Sequence, residues 1–225
     1  MAIARKERFK KRTGKLYHMK DLLIIGAGNV GGFLALNQNL FEGHYNIIGF
    51  LDDDKDKIGK TKWDIPVLGN IESIKEYHNI SVVIGISAPL IKKKILAKIG
   101  SNFHFPNFIA KNAWISNKVK VGKGVIIYPG VAINHESEIG DFVIINMNCA
   151  IGHNTKIGIG CALAPGVNLA GFTKVDAFVN LGIGVSTIQQ IHIAEEAVIG
   201  GQSMVITNVE KCAKYVGVPA IKKLN

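Results

Sequence analysis

From Ile109 to Val209 the chain repeats every six residues. Each block opens on an aliphatic residue (Ile109, Ile115, Val121, Ile127 and so on to Val205) through 17 consecutive hexads, and only Thr187 among the openers is not aliphatic. Four residues after each opener stands a small or β-branched residue, such as Val125, Val143, Cys149, Thr155, Cys161 and Val185. A period of six fits neither a 3.6-residue helix nor a simple alternating strand, whereas short strands joined by tight corners at fixed spacing fit it directly. The openers and the fourth positions are expected to point inward. Gly follows the opener at Gly122, Gly140, Gly152, Gly158, Gly182 and Gly200, where it is expected to supply corner dihedrals that other residues reach at a cost. The stretch therefore reads as a parallel β-helix. Three hexads make one triangular coil, so the prism has between five and six coils and stands about 27 Å tall at the usual strand spacing.

Ahead of the repeat the pattern changes. Residues 21–32, DLLIIGAGNVGG, are an apolar run that breaks into glycines and continues as a helical pattern to about Phe41. Gly26, Gly28 and Gly31 fit G-x-G-x-x-G between a strand and a helix, where main-chain amides and the helix dipole can receive a phosphate. Taken alone this loop can also be a tight turn with no ligand. A second strand, Asn46 to Leu51, ends in Asp52, Asp53 and Asp54, acids placed either to accept hydrogen bonds from a ribose or base or to form a solvated turn. A helix near 71–77, a strand near 80–86 and a basic helix over 89–99 complete half of a doubly wound α/β fold, room enough for a mononucleotide. The division expected is a basic tail over 1–19, a Rossmann-like domain over 20–106 and the β-helix domain over 107–225.

The formal net charge of +10 would by itself suggest nucleic acid, but residues 1–20 hold eight Lys or Arg and one Glu, which leaves only +3 elsewhere. Basicity is thus a property of the tail, and no nucleic-acid partner is expected. Met19-Lys20, just before the first strand, looks like a natural start. No apolar run is long enough to span a membrane, and the segment ahead of Met19 lacks the apolar stretch of a secretory signal. Cys149 and Cys161 fall at inward positions and Cys212 beyond the repeat, so the three read as unpaired thiols in a reducing cytoplasm. No metal site is expected.

The order IIGAG, GFLDDD, PVLG, VVIG, FPNFI, hexads and finally VGVPA, from about Lys20 to Ala220, closely resembles the sugar acetyltransferases of bacterial surface-polysaccharide and glycoprotein biosynthesis. These are the nucleotide-amino-sugar N-acetyltransferases and the sialic acid O-acetyltransferases. The resemblance implies a left-handed coil, although the usual preference for right-handed crossovers would have predicted the opposite. It also implies a homotrimer with acetyl-CoA bound between neighbours and a nucleotide-linked amino sugar held by the N-terminal domain.

Acyl transfer from a thioester needs a base for the proton of the attacking amine or hydroxyl, and donors for the developing oxyanion. The family's base is a His in an I-x-H-[DE]-C-x-I-G segment, eleven residues before the Ala of Ala-Pro-Gly. Ile151-Gly152-His153-Asn154-Thr155-Lys156-Ile157-Gly158 fits that segment, with Ala164-Pro165-Gly166 setting the register. The resemblance thus implies His153 as the base and Asn154 in the place of the acid that orients it. The second family His, which contacts the acetyl group, falls at Ala162. The family's Gly-His of the glycine loop is Asn29-Val30 here, and the His-Pro of the coil entrance is Ala110-Lys111. Carried across in the same way, Ala162, Gly171, Ile183 and Gly201 would meet acetyl-CoA, and Gly28, Asn29, Val30, Asp52, Asp53 and His135 would meet the sugar nucleotide. His135 lies three hexads before His153, one full coil, so the two imidazoles are expected to stack on one corner. The sequence does not separate N- from O-acetylation, which leaves open a sugar or sialic acid O-acetyltransferase, and the departures at Asn154 and Ala162 leave open a non-catalytic trimer that only binds the nucleotide sugar.

Overall fold

The computed structural model describes residues 19–100 and 102–223; the basic tail therefore lies outside the described residues except for its last position. Strand β1 (Lys20–Ile25) leads to helix α1 (Asn29–Leu36), then β2 (Tyr45–Leu51), a short β3 (Thr61–Lys62), β4 (Ile65–Gly69), β5 (Ser81–Ile84) and helix α2 (Pro89–Ile99). These strands form one sheet in the order β3-β4-β2-β1-β5, parallel except for the β3–β4 pair. Leu22 to Ile25 and Val82 to Val83 have no exposed surface, as expected of central parallel strands covered on both sides. Two expected elements are shorter or tighter: α1 stops at Leu36, and the turn over Ile71–Glu76 is a 3₁₀ helix whose Asn70 side chain caps Ser73 N–H.

The coil then runs as 17 two-residue strands, each ending on one of the openers, from Phe108–Ile109 to Met204–Val205. From Phe108–Ile109 to Ser186–Thr187 each strand pairs in parallel with the one three hexads on, for example Ala132 with Ala150 and Ile133 with Ile151, and the strands sort into three sheets, the faces of a left-handed prism. Openers and fourth positions together line a continuous apolar interior. Thr187 stays buried because its hydroxyl is used twice: Oγ1 accepts from Ala170 N–H at 3.0 Å and meets Thr173 Oγ1 at 3.1 Å. Taking the Ala170 amide this way replaces a main-chain bond, and there only Asn168 and Ser186 remain paired.

The role expected for the post-opener glycines is corrected. Gly122, Gly140, Gly152, Gly158, Gly182 and Gly200 all lack a positive φ. From Lys118 to Gln202 the left-handed residue of the corner stands three after the opener, and Glu136, Phe142, Asn154, Phe172 and Phe178 adopt it at φ of 55–59°. The post-opener glycines serve close approach instead: a Cβ on Gly140 would lie 2.8 Å from Ile159 N, in the backbone of the next coil.

The α/β domain sits on the prism face formed by Phe108–Ile109, Ile126–Ile127 and Ile144–Ile145. Ile126 and Ile144 point outward from the coil yet are buried, in one cluster with Leu22, Ile24, Leu34 and Phe50. Phe33 stacks on Tyr128 at 4.5 Å, and Phe105 meets Phe142 edge-on at 4.9 Å. Of the two phenylalanines at left-handed corner positions on this side, Phe142 is 5% exposed, whereas Phe178 is half-buried with Lys93 Nζ over its ring. Lys92 of α2 drives into the adjacent corner, fully buried, and its Nζ donates to Phe142 O at 2.7 Å and Gly160 O at 3.4 Å.

Candidate active site

The corner between the second and third prism faces carries Asn134-His135-Glu136, then Gly152-His153-Asn154, then Ala170-Gly171-Phe172, stacked one coil above another. His135 and His153 are stacked as expected, with ring centroids 5.4 Å apart and planes within 13°. The Phe172 ring stands edge-on to His153 at 5.0 Å and is 51% exposed. His153 Nδ1 lies 3.0 Å from Asn154 Oδ1, and Asn154 Nδ2 donates to Glu136 Oε2 at 2.9 Å. A carboxylate only accepts, so Glu136 fixes which end of the Asn154 amide faces it. The Asn154 oxygen then faces His153, which makes Nδ1 the protonated nitrogen of the neutral ring and leaves the lone pair on Nε2. Gly171 lies directly over that nitrogen: a Cβ there would stand 2.7 Å from Nε2. The corner can thus present an oriented, solvent-reached imidazole base with a notch above it. From sequence Glu136 is notable only as the acid that follows His135, although its place one full coil before Asn154 carried the signal of this second role.

The other positions implied for acetyl-CoA lie elsewhere on the prism. Ile183 and Gly201 stack on the corner between the first and second faces, separated from His153 by the width of the second face. Ala162 is 6% exposed, in the ladder between Ile144 and Asn180 on the first face. A single chain therefore gathers Gly171 with His153 but not Ala162, Ile183 or Gly201.

A separate cleft of about 540 Å³ opens at the carboxyl end of β1, lined among others by Gly28, Asn29, Val30, Asp52, Asp53 and Lys94. It brings together the N-terminal positions implied by the sequence, leaving His135 on the far corner. Gly26 has φ of +99°, and a Cβ on Gly31 would be 2.0 Å from Gly26 O, so both are required by the strand-to-helix turn. Gly28 has open space where a Cβ would be, and the start of α1 has no side-chain cap, so its first amides face the cleft. Asp52 is largely committed within the protein. It accepts from Ala27 N–H at 2.8 Å, Asp54 N–H at 3.0 Å and Lys57 Nζ at 3.1 Å. Burial pushes its carboxyl up, but these donors outweigh burial and hold it below the usual range. Asp53 accepts from Ile71 N–H at 2.9 Å and lies 3.8 Å from Lys98. Sequence reasoning missed Lys57, and it noted Lys94 and Lys98 only as part of a basic helix; all three border the cleft.

The fold is that of the left-handed β-helix acyltransferases. Residues 21–99 match the PglD N-terminal domain, and the chain as a whole is similar to solved sugar acetyltransferases. Perosamine N-acetyltransferase from Caulobacter crescentus, solved with CoA and GDP-perosamine, superposes with a TM-score of 0.80 at 25% identity, covering 92% of this chain and 99% of that one. The acetyltransferase domain of PglB from Neisseria gonorrhoeae, in complex with acetyl coenzyme A, has a TM-score of 0.83 at 22% identity over 92% of this chain and 100% of that one. WeeI from Acinetobacter baumannii has a TM-score of 0.79 at 22% identity, over 91% and 100%. No helix among the described residues is long and apolar enough to cross a membrane.

Proposed function

We propose that the protein transfers the acetyl group of acetyl-CoA to the amino group of a nucleotide-linked amino sugar, with His153 as the general base. The observation that carries this reading is the bare Nε2 of His153, oriented through Asn154 beneath the notch at Gly171, on a chain that also holds a nucleotide-sized cleft. His153 Nε2 takes a proton from the amine as its nitrogen bonds to the thioester carbonyl carbon. It returns that proton to the sulfur when the carbon–sulfur bond breaks, so no covalent enzyme intermediate is needed. The cleft would hold the nucleotide on the amides that open α1, with Lys94 and Lys98 facing the phosphates.

The His153 corner lies across the prism from the face that carries the α/β domain, and Ile183 and Gly201 occupy a third location. One chain cannot close these around a single ligand, which supports a homotrimer in which a neighbour's corner completes each site. Met147, Ile159 and Ile183 are partly exposed apolar corner residues that such contacts would cover. The three unpaired cysteines and the two substrates suit a cytoplasmic enzyme of surface-polysaccharide or glycoprotein-glycan biosynthesis. Release of free thiol from acetyl-CoA with a panel of nucleotide amino sugars tests the reading. Turnover with an amino sugar supports it, turnover only with hydroxyl acceptors converts it to O-acetylation, and nucleotide binding without thiol release leaves the non-catalytic trimer.

A further inference from the structure

We infer that Glu136 is a positioning residue for His153: through the Asn154 amide it selects the imidazole tautomer that leaves Nε2 bare. Glu136 and Asn154 occupy equivalent left-handed corner positions one coil apart, at φ of 57° and 55°, so their side chains leave the backbone in the same direction and meet. The contacts form a chain: Glu136 Oε2 accepts from Asn154 Nδ2 at 2.9 Å, and Asn154 Oδ1 faces His153 Nδ1 at 3.0 Å.

A side-chain amide next to an imidazole is ambiguous. Turned one way it accepts from Nδ1–H, and turned the other way it donates to a bare Nδ1 and leaves the proton on Nε2, where it blocks base catalysis. Asn154 alone has no reason to prefer the first. Glu136 supplies one, because the reversed amide would point its oxygen at a carboxylate. The other neighbours of the ring do not decide the matter: His135 stacks face to face and Phe172 packs edge-on, and neither contact is a hydrogen bond to a ring nitrogen. Glu138 and Lys156, on the adjoining strands, pair with each other. The charge that an acid at position 154 would bring is thus delivered from one coil below.

The inference rests on His153 being the base, but its test reads the ring directly. Nitrogen NMR of the full-length protein above the imidazole titration, with the His153 signals assigned by their loss in His153→Gln, should show a protonated Nδ1 and a bare Nε2. Glu136→Gln should shift the signals toward a mixture of tautomers and lower kcat on the order of 10- to 100-fold with KM for acetyl-CoA unchanged, because the wrong tautomer removes the base without touching binding. Glu136→Asp should recover part of the wild-type signature. Asn154→Asp in the Glu136→Gln background should restore it fully, since a carboxylate at 154 can only accept. An unchanged tautomer in Glu136→Gln, or no restoration in the double variant, overturns the inference. A shifted tautomer with unchanged turnover would uphold the positioning and instead remove His153 from the role of base.

Discussion

Gly171 stands so close above His153 that a Cβ there would lie 2.7 Å from Nε2 and 2.8 Å from Cε1. Its φ is not positive, so glycine is present for clearance rather than for conformation. Gly171→Ala should leave the coil folded and push the imidazole off its bond to Asn154. Displacement of a reacting group on the order of 1 Å can cost up to ~10²-fold, so kcat should fall by ~10–10² with little change in melting temperature. Equal losses of stability and activity would mean that the residue matters only for packing.

The stacked pair predicts unequal roles. His153→Ala should lower kcat by ~10²–10⁴, the usual contribution of a general base, while nucleotide affinity holds. His135→Ala removes a ring stacked 5.4 Å away and should cost less. Asn154→Glu should keep or raise activity only when combined with Glu136→Gln, because with Glu136 present its carboxylate would face another carboxylate at the place where Asn154 Nδ2 now donates at 2.9 Å. Steady-state kinetics on the three variants decides it. Loss of turnover in His135→Ala with His153→Ala spared would move the base one coil down.

At the nucleotide cleft the cations, not Asp52, should dominate affinity. Asp52 is occupied by three donors of the protein itself, whereas Lys94 has no ion pair with a described residue. Lys94→Ala should weaken binding of uridine or guanosine diphosphate by ~1–3 kcal/mol, the scale of a charged hydrogen bond. Asp52→Ala should act through the Gly26–Gly28 turn and lower thermal stability as well. Calorimetry paired with thermal melts separates the two, and equal binding by wild type and Lys94→Ala would move the phosphates elsewhere.

Burial pushes Lys92 down to about 7, with two main-chain carbonyls as its partners. Below that pH both folded and unfolded chains carry the ammonium. Above it the unfolded chain binds more protons than the folded one, so stability should rise with pH. The window closes near the ordinary thiol range of about 8.5. There the unfolded chain sheds protons that burial retains on Cys149, raised to about 11, and on Cys161, raised to about 12. Chemical denaturation should therefore show a gain of ~1–2 kcal/mol from pH 7 to 8.5, absent in Lys92→Met. A flat profile in the wild type would mean that the carbonyls hold the charged form throughout.

The separation of His153 from Ile183 and Gly201 predicts assembly. Light scattering at micromolar concentration should give three times the 24.4 kDa chain mass. Gly201→Trp, on a corner remote from His153 in its own chain, should abolish turnover while nucleotide binding by the α/β domain persists. A stable monomer that still turns over would end the shared site.

By itself the sequence determined the coil, because a six-residue period sustained over 17 hexads has one solution, and each opener is found ending a strand. It also determined the strand-to-helix glycine turn and the stacking of His135 on His153, since three hexads make one coil. Tertiary structure decided what local pattern cannot carry. Ile126 and Ile144, apolar at outward positions, signalled a covered face, but which domain covers it depends on contacts made far apart in the chain. The same holds for Lys92, whose burial arises only when α2 meets the corner carbonyls, and for Phe142, a corner residue of the coil that lies beneath the α/β domain. Asn154 looked like the loss of an orienting acid. The loss is local only, because the coil repeat returns Glu136 to its side from three hexads away, and a hydrogen bond across that separation exists only once the backbone has closed a full turn.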